Sequence, residues 1–276
     1  MDDPFSAHRS ELLALAYRML GSAAEAEDVV QDAWLRWRSA AEVASPKPWL
    51  RTTVTRLCLD RLKSARARRE TYVGPWLPEP LVTDASERDP YSVSLAFMLV
   101  LERLNPVERA VYLLHVVFEL THAEIGPLVD KSEAAVRQIF HRSKARVSAA
   151  KPRFAPSREQ HGQLLSRFFE ACELGDVDGL GRLLAAEARA LTDGGGRVRA
   201  ARNVVQGREP VARLFIGLAQ KFGAADLTPE FADLNGWPAC ILREGSVVKM
   251  VVGIETDGVH IAAVHVILNP DKLDHL

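Results

Sequence analysis

The chain has 276 residues, 47% hydrophobic and 26% charged, which argues against overall disorder and suits two domains or three small ones. No apolar run approaches the ~20 residues of a membrane span. The opening MDDPFSAHRS lacks the basic patch and apolar core of a signal peptide, so a cytoplasmic protein without membrane contact is expected. The net charge of −1 is unevenly spread: residues 47–69 carry eight cations against Asp60, a local +7, and residues 1–46 carry four cations against eight acids. An acidic segment followed by a basic one points to two different partners. Cys58, Cys172 and Cys240 have no CxxC or Cys/His spacing, so neither a disulfide framework, a metal site nor a cofactor is expected.

In chain order, the spacing of Leu12, Leu13, Ala16, Met19 and Leu20 predicts a helix stopped at Gly21. Ser22 is an N-cap for a second helix whose stripe is Ala26, Val29, Val30, Ala33, Trp34 and Trp37. Ser45-Pro46-Lys47-Pro48 breaks the chain before a third helix from Trp49 to Arg69, with Leu50, Val54, Leu57, Cys58 and Leu62 inward and the cations outward. Four prolines between residues 71 and 92 mark a linker, yet Trp76 and Leu77 within it are costly to leave in water. Asn105-Pro106-Val107-Glu108 and Thr121-His122-Ala123-Glu124 are helix starts with capping boxes. After a turn at residues 129–132, a basic helix completes a helix-turn-helix pattern. Ala135, Val136, Ile139 and Ser143 can face inward, leaving Arg137, Gln138, His141, Arg142 and Lys144 for a DNA groove. Gly126-Pro127 predicts that the first helix of the pair is short or kinked.

From residue 156 the character changes. Helices over residues 158–174, 177–185 and 208–222, a strand over 188–192, and a meander over 230–234, 239–243, 247–255 and 259–268 predict an α+β domain. Asn235-Gly236 and Asp257-Gly258 supply its tight turns. A curved antiparallel sheet covered by helices can enclose a pocket for a small ligand. His260 and His265, five apart on one strand, fall on opposite faces, and no acid/His pair stands out, so no enzyme is expected. Asp193 before three glycines reads more simply as a hairpin loop than as a base. Cys172 and Cys240 read as packed apolar residues.

Residues 26–34 (Ala-Glu-Asp-Val-Val-Gln-Asp-Ala-Trp), Trp49-Leu50 with Asp60 eleven residues after Trp49, and residues 132–138 (Ser-Glu-Ala-Ala-Val-Arg-Gln) occur in order, with a proline-bearing linker between the second and third. In these the chain resembles the extracytoplasmic-function (ECF) sigma factors, the promoter-recognition subunits of bacterial RNA polymerase. Residues 76–80 (Trp-Leu-Pro-Glu-Pro), Asp193-Gly194-Gly195-Gly196-Arg197 and Asn269-Pro270-Asp271-Lys272-Leu273 extend the resemblance to the SigJ-like subgroup, which carries a fused SnoaL-like α+β cone in place of a separate anti-sigma protein.

The resemblance implies two all-α sigma domains, residues 1–70 and 93–153, joined by a linker at 71–92 and followed by a SnoaL-like regulatory domain at 156–276. It implies that Asp28, Gln31 and Asp32 dock on core RNA polymerase. Lys47, Arg51, Arg56, Lys63 and Arg66 would then form the cationic track at the promoter's −10 element. Trp49 fits either an aromatic platform there or the core, the core being preferred. Arg137, Gln138, His141 and Arg142 would read the −35 element, with Lys144 on phosphate. The three subgroup motifs are expected near one another, holding the last domain against the sigma part of its own chain. Many relatives carry asparagine at Arg56 and lysine at Arg197, so these contacts differ here. The alternative is a DNA-bound ligand sensor, or a SnoaL-like enzyme with a DNA-binding arm; the +7 helix argues for the sigma factor.

Overall fold

A computed structural model describes residues 5–40, 43–70, 72–83, 94–150, 156–222 and 227–276. The chain divides into two compact units: residues 1–71, 89–93 and 97–151 form the first, and residues 72–88, 94–96 and 152–276 the second.

The first unit is helical. Helix α1 (Arg9–Leu20) ends at Gly21, whose φ of 73° is the left-handed cap that glycine adopts freely. In α2 (Ala23–Ser39) the Ser22 hydroxyl caps the helix by accepting from the Glu25 amide at 3.1 Å. Helix α3 runs Pro46–Glu70, three residues earlier than expected: Pro46 and Pro48 do not break the chain but sit in the first turn, where a helix has no use for their missing donors. Leu50, Val54, Cys58 and Leu62 are buried as expected, joined by Leu59, and Leu57 is half-buried.

Helix α4 (Leu95–Leu101) leads to α5 (Pro106–Val116), α6 (His122–Val129) and α7 (Glu133–Ala150). Both capping boxes form. Helix α6 has only eight residues with Pro127 inside, and ends at Asp130 in the left-handed conformation. A Cβ on Gly126 would stand 2.7 Å from the Lys131 carbonyl oxygen, so the turn into α7 needs this glycine. Arg109 is 2% exposed and donates to the carbonyls of Leu101 and Met19 while pairing with Glu102. Its planar fork ties the end of α1 to α4 and α5.

The second unit is α+β. Helices α8 (Arg158–Leu174), α9 (Val177–Leu183) and α10 (Arg208–Phe222) accompany a six-stranded sheet ordered β2-β1-β6-β5-β4-β3. The strands are β1 (Leu184–Asp193), β2 (Val205–Gln206), β3 (Leu227–Leu234), β4 (Trp237–Glu244), β5 (Val247–Thr256) and β6 (Ile261–Ile267). β3 to β6 form the expected meander, but β1 pairs parallel to β6, so the sheet is mixed rather than wholly antiparallel. β1 also starts four residues before its predicted strand, taking Leu184 and Ala185 from the predicted helix, because the sheet buries Leu184 and Ala188. Leu165, Phe168, Val211 and Phe215 pack on Val252, Ile254, Val264 and Val266 to form the helix-side core. Cys172 and Cys240 are buried within this unit, which pushes both thiols up to about 12.

Candidate functional site

On α3 the cations are engaged by carboxylates of their own unit. Lys47 lies 3.0 Å from Glu11, and Arg51, its side chain 15% exposed, also pairs with Glu11. Burial opposes the charge on Glu11, yet these two donors hold its carboxyl below the usual range. Arg56 is exposed and reaches the Pro127 carbonyl at 3.1 Å and the Asp130 carboxylate at 3.3 Å, both at the end of α6. Lys63 is exposed beside Asp60 at 2.9 Å. The side chain of Arg66 lies outside the described residues. Trp49 is half-buried rather than core: it meets Trp37 edge-on at 5.8 Å and lines a groove with Arg36, Thr52 and Arg56. It stands one residue, about 100° of helix rotation, from the inward stripe of Leu50, Val54 and Cys58, which leaves its indole at the border of the core.

On α2, Asp28 and Gln31 are exposed and Asp32 is half-exposed. Arg61 of α3 bridges the two carboxylates, at 3.3 Å to Asp28 and 3.1 Å to Asp32. Sequence reasoning placed both aspartates on the outer face and missed this cation, which comes 29 residues after Asp32.

Helix α7 presents Arg137, Gln138, His141, Arg142 and Lys144, all exposed, above buried Val136, Ile139, Ser143 and Val147. Ala135 is only half-buried. Arg137 pairs with Glu133 one turn earlier at 2.6 Å, an exposed surface pair of little strength. Lys144 lies 5.9 Å from the Phe140 ring centre. Arg146, a further phosphate candidate, is drawn to Glu108 at 2.6 Å.

In the second unit the structure brings together most of the residues named in the three short motifs. Asp193, fully buried, accepts from the Tyr72 hydroxyl (2.6 Å), the Leu77 amide (2.7 Å), the Gly195 amide (3.1 Å) and the Lys272 ammonium (2.7 Å). Lys272 also donates to the Leu77 carbonyl, and its nitrogen stands 4.2 Å from the Trp76 ring centre. Asn269 donates to the Tyr72 hydroxyl at 3.1 Å. A Cβ on Gly195 would lie 2.3 Å from the Asn269 side chain, and its φ is +58°, so this glycine admits the clasp. Gly194 is similarly tight against the Val198 carbonyl, and Gly196 takes a φ of +73° against Val73. Pro270 opens a short 3₁₀ turn ending at Lys272, and Leu273 behind it is buried. The exposed charge Arg197 plays a lesser part: among the described residues its guanidinium pairs with the exposed Asp271, at 3.3 Å. Tyr72 lies outside the motifs and was missed. Burial, and then the Asp193 hydrogen bond, push its hydroxyl well above the usual range.

The linker continues along the sheet. Val82 bridges Leu234, the Leu81 amide donates to the Asn235 side chain at 3.1 Å, and the Thr83 amide donates to the Asp233 carbonyl at 2.9 Å. Asn235 and Gly236 both have positive φ, as their tight turn requires.

A sigma-70 region 2 model matches residues 5–68, and a sigma-70 region 4 model matches residues 94–147. The ECF RNA polymerase sigma factor SigJ of Mycobacterium tuberculosis is 40% identical over 228 residues, 79% of this chain and 73% of that protein. The chain belongs to the ECF RNA polymerase sigma factors. A second relative from the same organism, "Probable ECF RNA polymerase sigma factor SigI", is 30% identical over 99% of this chain and 96% of its own length. The crystal structure of M. tuberculosis SigJ superposes with a TM-score of 0.78 at 34% identity, covering 98% of this chain and 97% of that one. This sigma factor therefore has the SigJ-like arrangement, helical sigma regions followed by a fused α+β domain. Among the described residues no helix is long and apolar enough to cross a membrane.

Proposed function

We propose that this sigma factor binds core RNA polymerase through the outer face of α2, opens promoter DNA along α3 and reads a −35 element with α7, while its C-terminal domain regulates these steps from within the same chain. The observation that carries the reading is the division of α7: a buried apolar edge under an exposed row of Arg137, Gln138, His141 and Arg142. Arginine and glutamine on one exposed helix face suit base edges in a major groove. The groove at Trp49, rimmed by Arg36 and Arg56, supports a place for an unstacked base beside cations. Engaging DNA there means Arg56 exchanging Asp130 for phosphate, an exchange that is cheap because both side chains face water.

The proposed regulation is supported by the Asp193–Lys272 clasp, which fixes the linker residues 72–77 to the last domain. The linker's reach, and with it the placement of the sigma regions, would depend on that clasp. No catalytic step belongs to this reading, since both oxygens of Asp193 already accept from donors. It places the protein in the cytoplasm, where polymerase is.

Run-off transcription with core polymerase tests the function. The full chain should direct initiation from a specific promoter, and the Arg137→Ala, Arg142→Ala pair should abolish that specificity. A chain that neither associates with core polymerase at low salt nor yields a discrete transcript would refute it. The clasp is tested in the same assay: Trp76→Ala and Lys272→Met should shift promoter activity in one direction, and opposite shifts would dismiss it.

A further inference from the structure

The second unit holds a cavity of about 170 Å³, close in size to a ~150 Å³ protein cavity that accommodates one benzene. It does not lie in the helix-side core. Side chains alternate along a strand: Val252 of β5 and Val264 and Val266 of β6 join that core, whereas Val251, Gly253, Glu255 and His265 line the cavity, and Ile254 borders both. The remaining wall includes Trp237, His161 and Pro80 of the linker. The lining is largely apolar, which selects an apolar body.

Polar side chains interrupt that lining: Ser94, His161, Asn235, Thr256 and, on the sheet face, the pair Glu255 and His265. His265 is 2% exposed, and its Nε2 has no hydrogen-bond partner among the described residues. Nε2 stands 3.2 Å from Glu255 Oε1, an ion-pair distance but off the hydrogen-bond direction. A ring nitrogen facing a carboxylate carries its proton there, because its lone pair would be repelled, so His265 offers a buried N–H that is not satisfied. Leaving such a buried donor without an acceptor is unfavourable. His161 supplies no cation: its Nε2 lies 3.1 Å from the Pro238 carbonyl, its ring packs on Trp237 at 5.0 Å, and burial lowers its pKa to about 4.

We propose that this cavity binds a neutral, ring-sized hydroxyl compound of the phenol or cyclic-alcohol class, its oxygen accepting from His265 Nε2–H and donating to Glu255. A hydroxyl is both acceptor and donor, so one oxygen answers both groups. A plain hydrocarbon leaves His265 unsatisfied. An aromatic acid brings a second negative charge against Glu255, and Arg189, 3.8 Å from that carboxylate, is already engaged with it. Since Pro80 forms part of the wall, the occupant touches the same linker that the Asp193 clasp holds, which gives a chemical signal access to it. This inference is independent of the sigma activity, which is assayed without ligand.

Thermal unfolding and calorimetry of the full chain with phenol, cyclohexanol, benzene and benzoate test it. Phenol should bind saturably and at least about tenfold more tightly than benzene, the size of one hydrogen bond to a charged group, and benzoate should not bind. Gly253→Leu should plug the site and abolish phenol binding, since a Cβ at Gly253 meets nothing within 4 Å. Phenol bound no more tightly than benzene or benzoate, bound equally by Gly253→Leu, or not bound at all would overturn the proposal. Should Gly253→Leu fail to fold, the panel on the unaltered chain decides alone.

Discussion

The exposed cations of the first unit and the buried pair of the second hold charge in opposite ways. In the first, cations of α3 and α7 meet carboxylates at the surface: Arg56 with Asp130, Lys63 with Asp60, Arg137 with Glu133. In the second, Asp193 and Lys272 meet with side chains 0% and 7% exposed, inside a shell of hydrogen bonds. Exposed pairs contribute little and are screened by salt, so their members stay available to an incoming polyanion. A buried pair with every oxygen occupied is fixed, because removing one partner strands the other in a medium that cannot solvate it. The surface proposed to meet DNA is thus built from weak, exchangeable pairs, and the joint that holds the linker from a strong one.

The sharpest way to break this contrast is Lys272→Met. It leaves Asp193 buried without its cation and should cost the second unit about 3–5 kcal/mol, read from denaturant unfolding of the full chain. Adding Asp193→Asn should recover part of that loss, and a loss below about 1 kcal/mol for the single substitution would place the pair among the surface ones.

A comparable effect comes from His161, whose ordinary value of 6.5 falls to about 4 on burial. Between these values the unfolded chain takes up a proton and the folded chain does not. The stability that the neutral ring contributes is therefore full above pH 6.5 and lost as pH falls towards 4, on the order of 3 kcal/mol in all. Unfolding free energies measured across this acid range should slope upward with pH, and His161→Phe should flatten the slope; an unchanged slope would remove His161 as its source.

Substitutions in the first unit should barely move stability, by about 0.5 kcal/mol or less, yet separate in DNA binding. Arg137→Ala should cost roughly 1–3 kcal/mol and relax sequence preference. Lys63→Ala, the smallest effect, should weaken all promoters alike and reduce the salt slope by about one. Identical promoter profiles for the two would erase the distinction between reading and positioning.

What the sequence disclosed follows from distance along the chain. The caps at Ser22, Asn105 and Thr121 were legible because each hydrogen bond closes within three residues. The exposed row of α7 was legible because helical periodicity assigns its faces. The motif residues could be named but not their roles: Asp193 meets Tyr72 across 121 residues and Lys272 across 79, and nothing local says that the aspartate is the hub while Arg197 stays outside. The Glu255–His265 pair was hidden for another reason. Only the register of β5 on β6, where Gly253 faces His265, brings these two side chains within 3.2 Å. β1 misled because Ala185, Ala186 and Glu187 favour helix when read alone, and the pairing with β6 overrides that preference.

The linker's run beside β3 has a consequence for solubility. β3 is an edge of the sheet and carries Phe231 at 53% exposure; unpaired edges of that kind recruit strands from other molecules. By occupying the amide and carbonyl positions near Asp233, Leu234 and Asn235, residues 81–83 act as a guard over one end of that edge. A fragment beginning at residue 156 would lack the guard, and its edge would be open to pairing with a neighbouring copy.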